Sequence, residues 1–172
     1  TVKEAKERVK TAIRNSNIEF LSRKIIVNLS PANQRKGGSM FDLPIAVGII
    51  TASQNIKNPN LEKILEYTVF IGELSLNGNI EKVKGILPIV IEAKKLGIKQ
   101  IIVPKENAEE ASIVDGIKIL SANTLEEVIL FLEGEKEIEI RGNEKIDLVN
   151  NVDYEIDFSE VKGQENAKAR KR

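Results

Sequence analysis

The sequence predicts an α/β domain built on a mixed sheet with helices, and three observations carry the prediction. Short β-rich runs alternate with stretches of helical period along most of the chain, the pattern of strands and helices packed in layers. An Asn77-Gly78 pair sits between two strand-like runs, so at least one strand pair is antiparallel. Hydrophobic residues make up 41% of the chain while aromatics make up only 4%, so the core must be aliphatic. A chain of 172 residues has room for one domain of ordinary size plus a tail. Thr1 stands first in place of Met, and both ends read as cut.

Composition removes several chemistries. Cysteine and histidine are both absent, which excludes thiolate nucleophiles, disulfides, Ser-His-Asp and Cys-His arrangements and the usual zinc sites. Lys+Arg 26 balances Asp+Glu 26, so no uniformly basic surface for nucleic acid or membrane is expected, although a local patch is compatible with the balance. Neither a secretory leader nor a run of about twenty apolar residues occurs. A soluble, cytoplasmic protein without membrane contact is expected.

In chain order, Thr1 to Glu4 fits a capping box, and Val2, Ala5, Val9, Ala12 and Ile13 share one helical face that ends near Asn15-Ser16-Asn17. The opposite face carries Lys3, Lys6, Arg8, Lys10 and Arg14 interleaved with Glu4 and Glu7, which reads as a solvated surface. Lys24 to Leu29 reads as a buried strand. It leads into a polar, Gly-rich loop with Arg35, Lys36, Gly37, Gly38 and Ser39, and then into an apolar helix from Asp42 to about Ser53. Asp42 is expected to cap that helix, Pro44 to sit in its first turn, and Gly48 to mark a close backbone contact. A short helix from Asn58-Pro59 through Leu65 follows. Tyr67 to Leu76 is the longest strand candidate, closed by a type I′ turn at Asn77-Gly78. Gly85 opens a helix with Ile86, Ile89, Val90, Ala93 and Leu96 inward, and Gly97 ends it. Gln100 to Val103 is a strand, Pro104 to Ser112 holds a short helix, Ile117 to Leu120 is a strand, and Thr124 to Leu132 is a helix stopped by Gly134. Beyond Gly134 the charged stretch reads as a linker or arm.

Three blocks carry a resemblance: NLSPANQRKGGSMFDLPIAVGIITAS, then FIGELSLNGNIEKVKGILPIVIEAKKLGIKQIIVPKENAEEASIVDGIKI, then DFSEVKGQENAKAR. In this order they resemble the magnesium-chelatase-like AAA+ ATPases of the ComM type, bacterial proteins tied to DNA uptake and recombination. The resemblance implies a Lon-protease-like, ribosomal-S5-domain-2-like N-terminal domain over 1–134, truncated at its start. It further implies a linker over 135–157 and the beginning of an AAA+ domain over 158–172, cut before its P-loop. Val161, Gly163 and Gln164 then lie where AAA+ proteins line the adenine pocket. No cofactor is expected in this stretch alone, whereas ATP and Mg²⁺ are implied for the full-length protein. So are a homo-oligomeric ring and DNA as partner.

The Lon likeness also makes a peptidase reading testable. Aligned on Ile45-Ala46, the position of the nucleophilic Ser falls at Asp42, and the position of its Lys partner falls at Leu87, so no catalytic residue is expected. Ser39 with Lys36, Lys82 or Lys84 would need a rearrangement. The loop then has three readings: a structural turn, contact of Arg35 and Lys36 with DNA or a neighbouring subunit, and anion binding at the helix start, which Asp42 opposes. The function implied is a non-catalytic accessory domain of an ATP-driven branch-migration factor. The alternatives are an ATPase subunit for metal insertion into porphyrin and a Ser/Lys peptidase.

Overall fold

A computed structural model of the chain describes residues 2–17, 38–53, 56–135 and 139–141. Helix α1 (Val2–Arg14) turns Val9, Ala12 and Ile13 fully inward, as their spacing requires. The turn that follows it reaches Asn17, whose φ of 54 is one that Asn tolerates better than most side chains. The strand expected at Lys24 to Leu29 lies outside the described residues. A 3-10 turn at Ser39–Phe41 precedes α2 (Asp42–Ala52), which buries Leu43, Ala46, Val47, Ile49 and Ile50. Gly48 makes no close contact: it is exposed, with open space where a Cβ would stand.

Helix α3 (Leu61–Tyr67) starts later than its Pro suggested, because Asn58 builds a turn in front of it. The Asn58 side-chain Oδ1 accepts the Asn60 N–H at 2.9 Å, and its Nδ2 donates to the Leu132 carbonyl at 2.8 Å. The long strand expected from Tyr67 to Leu76 is split in two. β1 (Thr68–Phe70) joins the main sheet, while β2 (Glu73–Leu74) pairs with β3 (Ile80–Glu81) as a separate antiparallel hairpin. The break falls at Gly72, where a Cβ would come within 2.6 Å of Ile80 Cγ2, so only hydrogen fits between α2 and the hairpin.

The hairpin turn also differs from expectation. Gly78 donates to the Ser75 carbonyl at 3.0 Å and Ser75 donates to the Asn79 carbonyl at 2.9 Å. Only Gly78 is left-handed, at φ 86, so Leu76, Asn77 and Gly78 form a three-residue loop with a glycine bulge.

The remainder follows as α4 (Ile86–Lys95), β4 (Gln100–Pro104), α5 (Ala108–Ala111), β5 (Lys118–Ala122), α6 (Leu125–Glu133) and β6 (Glu139–Arg141). The main sheet runs β1-β4-β5-β6, with the first two pairs parallel and the last antiparallel. β6 arises inside the stretch expected to be a linker. Phe70, Ile102, Leu120 and Ala122 pack on one face with α1, α2, α3 and α6, while Ile101, Val103 and Ile119 face α4 and α5. Both parallel crossovers therefore use helices on one face and step the same way across the sheet, as a single handedness of connection demands. Leu96, expected inward, is 62% exposed because α4 ends at Lys95 and Gly97, at φ 84, turns the chain away. Thr124 caps α6 by accepting the Glu127 N–H at 3.1 Å, and Gly134 closes it at φ 80. Among the described residues no helix is long and apolar enough to cross a membrane.

Two glycines separate turn geometry from mere tolerance. At Gly78 a Cβ would stand 2.3 Å from Ser16 Oγ at positive φ, so Gly78→Ala should lower unfolding free energy by more than about 1 kcal/mol. Gly48→Ala should raise it by about 0.5–1 kcal/mol in the same denaturant titration. Burial, and then the charge of Glu135, push the Glu133 carboxyl above its ordinary range. A raised carboxyl favours the protonated form in the fold, so stability falls as pH rises from the unfolded value through the folded one. Glu133→Gln should therefore raise the thermal midpoint at neutral pH and leave it unchanged in acid below both values.

Candidate functional site

Asp42, the first residue of α2, is 1% exposed. Burying a carboxylate costs several kcal/mol unless charge and hydrogen bonds offset it. Here both are supplied. Arg8 of α1 grips it bidentately, Nε to Oδ2 at 2.7 Å and Nη2 to Oδ1 at 2.7 Å, and the Leu74 N–H of β2 donates to Oδ2 at 3.0 Å. The expected helix cap is therefore not made: Phe41 holds the capping position and no side chain caps α2. Backbone groups tie down the helix start instead, with Leu43 N–H donating to the Gly72 carbonyl at 3.0 Å and Gly72 N–H to the Met40 carbonyl at 2.9 Å.

Arg8 is likewise not part of a freely solvated face. Its side chain is only 28% exposed, and its guanidinium is held above the ordinary range first by the hydrogen bond to Asp42. Burial works against that shift, while the charges of Asp42, Glu73 and Glu4 add to it. The helical pattern showed which side of α1 is apolar. It could not reveal that one flanking arginine reaches a carboxylate 34 residues away.

Ser39 donates its hydroxyl to the Glu73 carboxylate. Lys82 and Lys84 are exposed on either side of buried Val83, whose N–H and carbonyl are both held by the Asn107 side chain at 2.9 Å. This pair of hydrogen bonds to a fully buried Asn107 fixes the backbone ahead of α4, and no residue pattern in the sequence marked it. Leu87 is the second residue of α4, half-buried, behind left-handed Gly85. Gly38, at φ 65, agrees with the tight turn expected before α2. Arg35, Lys36, Val161, Gly163 and Gln164 lie outside the described residues. Among those described, no group of three or more His, Cys, Asp or Glu residues is placed to hold a metal ion.

Chemically, a carboxylate enclosed by a guanidinium fork and a peptide N–H is a satisfied anchor rather than a reactive group. It joins α1, α2 and the hairpin at one point.

Comparison with known proteins follows the same lines. Residues 1–107 match the family model described as subunit ChlI of Mg-chelatase. The chain is 35% identical to competence protein ComM of Haemophilus influenzae over 98% of this chain and 32% of that protein. It is 39% identical to uncharacterized protein YifB of Escherichia coli, again over 98% of this chain and 32% of that protein. It is 30% identical to Lon protease 2 of Bacillus subtilis over 72% of this chain and 21% of that protein, in keeping with the α/β fold described above. The chain thus spans about a third of the length of its ComM and YifB relatives.

If Arg8 is what compensates Asp42, Arg8→Ala should cost about 3 kcal/mol by leaving the carboxylate unpaired. Pairing Arg8→Met with Asp42→Leu should cost clearly less than the two single changes summed. Urea denaturation of the parent and these four variants measures this, and a cost for Arg8→Ala within about 0.5 kcal/mol, as for an ordinary surface change, would contradict it.

Proposed function

The chain belongs to the family of the Mg-chelatase subunit ChlI, and from that membership we propose that it is a non-peptidase accessory domain ahead of an AAA+ ATPase core that works on DNA. The observation that carries the non-peptidase part is Asp42. It stands where the Lon likeness would put the nucleophilic serine, and its oxygens are already engaged by Arg8 and Leu74. Leu87, at the position of the partner lysine, has no group to accept a proton. In the full-length protein, ATP and Mg²⁺ are bound by the core, with Val161, Gly163 and Gln164 at the adenine edge, and the protein assembles as a ring in the cytoplasm.

The DNA part rests on the likeness to a competence protein over nearly the whole chain. Arg35 and Lys36 are then the residues offered to DNA or to a neighbouring subunit, through phosphate contacts that weaken steeply with salt. Branch migration is the ATP-driven work proposed. A second reading, metal insertion into a porphyrin, is favoured by the description of the matched family; the Lon-like match over 72% of the chain weighs toward the DNA-linked group.

The two readings separate in one assay. The ATPase of the full-length protein should rise with branched DNA and stay flat with protoporphyrin and chelatase partner subunits. The reverse result would favour the porphyrin reading, and no response or affinity for DNA would end the first. Casein incubated with this chain should remain intact. Cleavage that disappears in Ser39→Ala would overturn the non-peptidase assignment.

A further inference from the structure

The two most exposed large hydrophobic residues among those described are Leu96, at 62%, and Ile113, at 70%, and they lie on the same edge of the sheet. Leu96 precedes β4 and Ile113 precedes β5, and those strands are parallel, so both sit at the N-terminal end of their strands. Backbone bonds hold each in place. Leu96 and Ile98 N–H donate to the Glu92 and Ala93 carbonyls at 3.0 Å, and Ile113 and Val114 N–H donate to the Glu110 and Ala111 carbonyls at 3.2 Å. The turn after Ile113 lies against the end of α4, since a Cβ on Gly116 would meet Lys94 Cε at 2.9 Å. Half-buried Ile98 and Val114 join this edge to the core beneath α4 and α5. Exposed Lys94 and half-buried Lys99 stand at its rim, with Glu92 and Asp115 as the acidic residues nearby in sequence.

The chain returns to this edge as it leaves the sheet. β6 runs antiparallel to β5, with Glu139 opposite Ser121 and Arg141 opposite Ile119, so at Arg141 it heads for the end of β5 that Ile113 precedes. The residues that follow are not composed as a solvated spacer, which would be polar throughout: Ile146, Leu148, Val149, Val152, Tyr154 and Ile156 occur within 142–157. Over 152–157 the alternation is strict, Val152, Tyr154 and Ile156 against Asp153, Glu155 and Asp157, with no cation. An extended run of that pattern has one apolar side and one acidic side. We propose that residues 152–157 dock on this edge of their own domain, with Val152, Tyr154 and Ile156 against Leu96 and Ile113, and with Lys94 and Lys99 reaching the carboxylates from the rim. Docking removes apolar surface of both partners from water. The residues between Arg141 and Val152 span up to about 36 Å when extended, whereas β6 and β4 are two strand spacings, about 10 Å, apart, so the segment reaches. The contact sets the side of the sheet from which the chain leaves the domain, and it does not rest on the activity proposed above.

The chain has no cysteine, so an introduced pair reports the contact in the 172-residue protein. Val152→Cys with Asp115→Cys leaves Leu96, Ile113, Tyr154 and Ile156 in place and should form a disulfide within one chain under mild oxidation. Val152→Cys with Lys105→Cys, which lies just past the other end of β4, should form one about tenfold more slowly, because docking lowers the effective concentration there. In the parent chain, chymotrypsin should cut slowly after Tyr154. Leu96→Asp together with Ile113→Asp, both at exposed positions, should speed that cut about tenfold, since cleavage follows the undocked population, with circular dichroism confirming the fold. Equal rates for the two cysteine pairs, or cleavage after Tyr154 that the two aspartates leave unchanged, would overturn the contact. Disulfides formed only between chains would overturn it as well and give the edge to a second copy.

Discussion

A buried carboxylate has to be answered wherever the chain places it, and in this protein the answer organises the surrounding structure. Asp42 can be buried at the start of α2 only because α1 brings Arg8 across and β2 turns the Leu74 N–H inward. Those two requirements fix how the first helix lies and where the hairpin leaves the sheet. The desolvation cost of the charge makes the arrangement all-or-none: removing the arginine leaves the carboxylate unpaired and buried, a much larger penalty than losing an exposed pair.

The hairpin carries that constraint onward. Its base is held by Asp42 and by the narrow passage at Gly72, and its tip is clamped from two sides. Asn15 at the end of α1 donates to the Leu76 carbonyl at 2.7 Å, while Leu125 N–H donates to the Gly78 carbonyl at 2.8 Å and Ile80 N–H to the Asn123 carbonyl at 2.7 Å. The first and last described helices, α1 and α6, therefore meet through a small antiparallel unit that is not part of the main sheet. A further polar pin lies at the start of the parallel strands, where Gln100 donates to Thr68 at 2.8 Å between buried partners. This last pin satisfies two buried polar groups and joins residues that face each other in the β1–β4 register.

The left-handed Gly38, the apolar helix behind it and the place of Asp42 at that helix's start could be read from residue types. What Asp42 does could not be. A carboxylate at a helix start reads as a cap by default, because capping needs only neighbours in sequence, whereas its actual partners come from elements 34 residues before and 32 after. The same reason explains the misread Arg8. It also explains Asn107, an unremarkable polar residue in a short helical run that turns out to be fully buried and doubly bonded to Val83.

By itself the sequence determined the alternation of strands and helices, the inward face of α1, the caps of α6 at Thr124 and Gly134, and the aliphatic character of the core. These follow from local periodicity and local backbone preference, which act within a few residues. Tertiary structure alone decided that the run from Tyr67 to Leu76 splits between two sheets, that a charged stretch after Gly134 supplies the antiparallel strand β6, and that Asp42 is an anchor gripped by Arg8. Each depends on which distant segment arrives to meet a backbone edge or a buried charge. Strand pairing and charge burial are settled only when those segments are packed together.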